Sequence, residues 1–82
     1  MASNEYHVAS YVVTCQPENA SDVVASITAL PGLEVHVEEQ GKLVVTAEAD
    51  NVRELADITS TLEAISSVFG VAPVYHEYIP ET

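Results

Sequence analysis

The sequence predicts an α+β fold: a four-stranded antiparallel sheet with two helices on one face. Three observations carry that prediction. Runs rich in β-branched and aromatic residues alternate with two segments of helical period. The order strand, helix, strand is written twice, with a glycine after each helical segment, at Gly32 and Gly70. A chain of 82 residues also has room for only one simple core.

Residues 7–15, HVASYVVTC, read as the first strand because β-branched and aromatic residues dominate. In QPENASDVVASITAL, residues 16–30, Pro17 and Glu18 suit a helix start. Ala20, Val23, Val24, Ile27 and Leu30 then recur on one helical face, and Pro31-Gly32 ends the helix. LEVHVEE, residues 33–39, alternates strictly, with Leu33, Val35 and Val37 to one side and Glu34, His36 and Glu38 to the other. Residues 39–41, EQG, fit a three-residue hairpin loop with Gly41 left-handed, a register that sets Lys42 opposite Glu38. KLVVTAEA is the next strand. Asp50 suits the N-cap of NVRELADITSTLEAIS, whose inward residues are Leu55, Ile58, Leu62 and Ile65. Gly70 closes this half, and VAPVYHEYI follows as the last strand, at a sheet edge because of Pro73.

Two such units interleave most simply as the split βαβ of the ferredoxin-like fold, with strand order 4-1-3-2 and both helices on one face. One domain over residues 1–82 is expected, with its ordered core over about 7–79. The helix side takes the more apolar set of each strand: Ala9, Tyr11, Val13 and Cys15, then Leu43, Val45 and Ala47. The other face carries Val8, Ser10, Val12 and Thr14 beside Val44 and Thr46, with Glu34, His36, Glu38 and Glu48 along its far edge. Solvated sheet faces usually carry long polar side chains, so valine and threonine in mid-face suggest a covered surface. The last strand has two phases, Tyr75 inward with Val74 and His76 outward, or the reverse; the bulk of Tyr75 favours it inward.

Thirteen acidic residues face two bases, Lys42 and Arg53, for a net charge of −11. Such a field repels nucleic acid and anionic membranes and attracts cationic partners. Cys15, the one cysteine, leaves no internal disulfide or CxxC site. There is no transmembrane run, and MASNEYH lacks the basic and apolar regions of a secretory signal, so the expected location is the cytoplasm. His7 and His76 fall at the ends of antiparallel strands and are possible neighbours, whereas His36 lies on the opposite edge. None has metal-ligand spacing, and no phosphate loop, nucleophile elbow or paired-acid signature occurs. Neither metal, cofactor nor catalytic residue is expected, and a binding module fits better than an enzyme.

HVASYVV, LPGLEVHV, GKLVVTAEAD and VYHEY, in this order and spacing, resemble the NapD family of maturation chaperones of periplasmic nitrate reductase. The resemblance runs from about His7 to Tyr78, and the stretch between Gly70 and VYH is shorter than the family's pattern. It implies a cytoplasmic chaperone without catalysis or cofactor. Its partner would be the twin-arginine signal peptide of the nitrate reductase catalytic subunit, held back from export while cofactors are inserted. Nucleic acid and membrane insertion have no part in this, and a monomer or weak homodimer is expected.

The placement of that peptide follows from the residues. An amphipathic helix laid on Val8, Val12, Val44 and Thr46 would cover the bare face, and its arginines would meet Glu34, Glu38 and Glu48. Ser10, Thr14, His36, Tyr75 and His76 complete the expected site. Pairing of the peptide with the edge of the last strand is the alternative geometry. A ligand-sensing regulatory domain of the same fold is the alternative function.

Overall fold

The computed structural model describes residues 5–80, with side chains over 6–78. Residues 1–4, part of the stretch read for an export signal, lie outside the described residues. Strand β1, Glu5–Cys15, leads through a 3₁₀ turn at Pro17–Asn19 into helix α1, Ala20–Thr28. Strands β2, Leu33–Glu39, and β3, Lys42–Ala49, form a hairpin; helix α2, Val52–Glu63, and strand β4, Val68–Pro80, complete the order. The sheet runs β2-β3-β1-β4 with every neighbouring pair antiparallel, the ferredoxin-like arrangement expected from the repeat.

Alternation in β1 and β3 settles the core. Ala9, Tyr11, Val13 and Cys15 are buried from β1, and Leu43, Val45, Ala47 and Ala49 from β3. Helix α1 closes over them with Ala20, Val23 and Ile27, and α2 with Leu55 and Leu62. Val24, Leu30, Ile58 and Ile65 pack against that core half-buried. The first helix begins later than its Pro17–Glu18 signal suggests, because those residues form the tighter turn before it. The cap of α2 is Asn51, not Asp50: Asn51 Oδ1 accepts from the Glu54 N–H at 2.9 Å, and Glu54 Oε1 accepts from the Asp50 N–H at 3.0 Å.

Three departures from the sequence expectation change the edges of the sheet. The hairpin loop is two residues, Gln40 and Gly41, with φ of 54° and 85°, so Lys42 stands opposite Glu39 rather than Glu38. Two positive φ values in succession make the primed turn whose twist matches the flanking strands. The shift of one residue is absorbed by an irregularity between Val35 and Val37. Val35 still pairs with the buried Val45, but Val37 pairs with Val44 and is half exposed, and Glu38 pairs with the buried Leu43. Glu38 therefore turns to the helix side, where its carboxylate accepts from the Gly41 N–H at 3.3 Å.

The second departure is the start of β4. Gly70 lies inside the strand, opposite Thr14, and the residue that turns the chain after α2 is Ser67, at φ 78°. Ser67 matches Gly32, at φ 81°, in the first half. Its carbonyl accepts from the Gln16 N–H at 3.1 Å, as the Gly32 carbonyl accepts from Glu48 at 2.9 Å. The third is the phase of β4. Tyr75 pairs with Ser10 and His76 with Ala9, so Tyr75 faces outward and His76 faces the helix side, the reverse of the phase favoured by bulk. A register shift between Ser10 and Tyr11 leaves Val74 as an extra residue after Pro73, which breaks the alternation.

Candidate functional site

No described helix covers the second face of the sheet, and pairing arranges its side chains in cross-strand rows, since directly opposed residues point to the same side. Glu77, Val8 and Glu48 make the first row, and Tyr75, Ser10, Thr46 and Glu34 the second. The third row is apolar: Ala72, Val12, Val44 and Val37. Gly70, Thr14, Lys42 and Glu39 make the fourth. The face thus runs from acid through an apolar belt to a lysine.

Val8, Ser10, Val12, Thr14, Val44, Thr46, Glu34 and Glu48 lie on this face as their alternation predicts. The β1 members are half-buried by their neighbours, and Val44 is 37% exposed. His36 also lies here, its Nε2 2.7 Å from Thr46 Oγ1 and 3.6 Å from Glu34 Oε1. Tyr75 joins them, and its hydroxyl donates to Glu77 Oε1 at 2.9 Å. That carboxylate favours the protonated phenol and pushes the Tyr75 pKa up. Glu38 and His76 do not share the face. Val37 and Glu77 do, and strict alternation missed both; the Gln-Gly pair at 40–41 is the signal that could have placed Val37.

His76 has a different neighbour. Its Nε2 lies 2.9 Å from His7 Nδ1, and the ring of Tyr78 lies 5.1 Å from that of His7. His7 is 3% exposed at the end of the helix side. Two imidazoles in hydrogen-bond contact need one acceptor nitrogen, so the contact requires at least one neutral ring. No group of three or more metal-ligating side chains occurs among the described residues.

The acid of the first rows continues round the sheet end. Glu48 lines a cleft of about 410 Å³ together with Pro31, Gly32, Glu54, Asp57 and Ile58. Cys15 sits in the closed core at 2% exposure. Burial, and secondarily the Glu38 carboxylate, push its thiol pKa up and keep the nucleophilic thiolate scarce. No described helix is long and apolar enough to cross a membrane. The open face places carboxylates beside an apolar belt, chemistry complementary to a ligand that is cationic in one part and apolar in another.

Residues 6–78 match the family model described as NapD protein. Chaperone NapD of Paracoccus pantotrophus is 30% identical over 74 residues, covering 90% of this chain but 66% of that protein, just under two thirds of its length. Chaperone NapD of Escherichia coli (strain K12) is 32% identical over 74 residues, covering 88% of this chain and 85% of that one. The solution structure of the E. coli Tat proofreading chaperone protein NapD superposes with a TM-score of 0.83 at 33% identity, over 94% of this chain and 82% of that one. A Pyrococcus furiosus transcriptional regulatory protein of the AsnC family shares the fold alone, at a TM-score of 0.70 and 20% identity, over 93% of this chain and 51% of that one.

Proposed function

The chain belongs to the NapD family of chaperones, and from that premise we propose that it binds the twin-arginine signal peptide of a periplasmic nitrate reductase catalytic subunit. Binding in the cytoplasm would hold the client back from export while its cofactors are inserted. The E. coli relative is described as a Tat proofreading chaperone, and the Tat route carries proteins marked by such peptides. The chain itself catalyses nothing in this scheme and holds no cofactor.

The observation that carries the reading is the uncovered sheet face, apolar across Val12, Val44 and Val37 and acidic at one end through Glu34, Glu48 and Glu77. A signal peptide has the matching chemistry, a basic start followed by a moderately apolar segment. Bound as an amphipathic helix, the apolar segment buries the valine belt, and the arginines meet carboxylates that accept bidentate hydrogen bonds. The competing geometry, a strand added to the edge of β4, would leave the valine belt bare.

Calorimetric titration with the native peptide, and with both arginines changed to glutamine, tests this directly. Tight binding of the first and weakened binding of the second is the expected outcome. Affinity for the native peptide should also fall as salt rises, because exposed charge pairs are screened over ~8 Å at physiological ionic strength. Equal binding of both peptides, independent of salt, would remove the charge component and leave the apolar one. No binding of either would overturn the assignment. Saturable binding of a small metabolite by an obligate dimer would then point to a regulatory domain of the same fold.

A further inference from the structure

The acid on the open face lies on both sides of β1. Glu77 lies on β4 and Glu48 on β3, each directly opposite Val8. They are separated by two strand spacings, roughly 10 Å. Glu34 stands one row along, on the Glu48 side. One of the three carboxylates is held by a hydrogen bond from a ring-bearing neighbour, and a second has an imidazole nearby. The Tyr75 hydroxyl donates to Glu77 Oε1 at 2.9 Å, and His36 Nε2 lies 3.6 Å from Glu34 Oε1 while contacting Thr46 Oγ1 at 2.7 Å. Among the described residues no lysine or arginine shares these two rows. Lys42 lies at the far end of the face, opposite Thr14 and Glu39.

We infer that two adjacent arginines of a bound peptide divide across β1, one taken by Glu77 against Tyr75 and the other by Glu48 and Glu34. The basic end of the peptide then lies over Val8, and its apolar segment runs along β1 over Val12. This rests on the signal-peptide reading above and gives it a direction. The geometry argues as follows. Consecutive side chains of a helix diverge by roughly 100°, so neighbouring arginines on a helix lying along β1 reach to opposite sides. A gap of two strands between carboxylates suits such a pair and exceeds what one guanidinium spans. The exposed ring of Tyr75 adds a face on which a guanidinium can stack. Lys42 favours this direction: a reversed peptide would bring its arginines to the row where a lysine already faces Glu39, and would leave three carboxylates against an apolar segment.

Two measurements on the full chain test the assignment, using a synthetic signal peptide carrying a twin-arginine pair. The first is a set of double-mutant cycles by calorimetry. Peptides with the first or the second arginine changed to glutamine are titrated against Glu77→Gln, Glu48→Gln, Glu34→Gln and Glu39→Gln. Glu77 should couple to one arginine and Glu48 and Glu34 to the other, each by about fivefold in affinity, with Glu39 coupled to neither. The second places a spin label at the peptide's amino end and reads amide broadening by NMR. Broadening centred on Val8, Glu48 and Glu77 supports the direction. Broadening centred on Thr14 and Lys42, or coupling of both arginines to the same carboxylate, overturns it while the chaperone reading stands. If the unaltered peptide does not bind, both fall together. Circular dichroism of each variant confirms that a lost coupling is not a lost fold.

Discussion

One residue separates two different environments on the same strands. Val13, Leu43 and Val45 have no solvent exposure, whereas Val12 is half-buried and Val44 is 37% exposed. The same residue type serves both faces of β1 and β3, and the described helices lie over one face only. The helix side is finished: its apolar side chains interlock with α1 and α2, and no described buried polar side-chain atom lacks a partner. The open side presents β-branched residues to solvent and gathers acid at one end. In so acidic a chain, valine in mid-face contributes nothing to solubility. It does provide a flat surface that gains when something apolar is laid on it.

If the faces differ in this way, truncating them must give different outcomes, and the largest effect belongs to the closed side. Leu62→Ala empties a fully buried position of α2 and should cost about 2–5 kcal/mol in denaturant unfolding. Val44→Ala, on the open side, should cost less than about 1 kcal/mol. Similar losses for the two would mean that the open valines are covered in the free protein, for example by a second copy.

The next effect concerns binding. Val12→Glu puts a charge in the middle of the apolar belt, with about 1 kcal/mol or less of effect on folding because the site is half open. If a peptide helix covers that belt, affinity should fall by roughly tenfold or more, since the carboxylate would be buried without a partner. Retained affinity in a folded Val12→Glu protein would favour strand addition at β4.

The contrast between faces was legible in β1 and β3, where nothing interrupts the alternation from Val8 to Cys15 and from Lys42 to Ala49. It was not legible in the edge strands. LEVHVEE alternates perfectly as text, yet the two-residue turn at Gln40-Gly41 shifts its end by one position and turns Val37 outward and Glu38 inward. Pro73 and the extra Val74 erase the phase of β4, so side-chain bulk gave the wrong face to Tyr75. Gly70 resembled a helix stop, but Ser67 holds the positive φ. Strand order came from the repeat of elements; edge register came from local turns whose energies differ by little. The acid rim therefore stayed partly hidden: Glu48 and Glu34 were placed correctly, Glu38 was not, and Glu77 was missed.

Titration separates the faces again, with smaller effects. On the closed side, burial holds Cys15 as a thiol. A group whose folded pKa is raised contributes stability that is complete below its unfolded pKa and is lost as pH rises through the folded value. Folding stability should therefore fall as pH passes above the ordinary thiol range, and fall less steeply in Cys15→Ala. An identical pH profile in the two proteins would mean that the thiol is not shielded.

Tyr75 has the same direction of shift for a different cause. Its ring is exposed, and its pKa rises chiefly because the phenol donates to the Glu77 carboxylate. Removing that acceptor by Glu77→Gln should lower one tyrosine's midpoint in a phenolate absorbance titration, and Tyr75→Phe identifies which tyrosine it is. Stability should stay within about 0.5 kcal/mol, as for other exposed substitutions. The same phenol reports on the peptide. A guanidinium that takes the Glu77 carboxylate removes the acceptor and brings a positive charge beside the ring, and both changes favour the phenolate. Saturating peptide should thus lower the Tyr75 midpoint in the parent protein and have a smaller effect in Glu77→Gln. A peptide that binds tightly and leaves that midpoint unmoved puts no arginine on Glu77, and the open face would then recognise its ligand through the valine belt and the Glu48–Glu34 side alone.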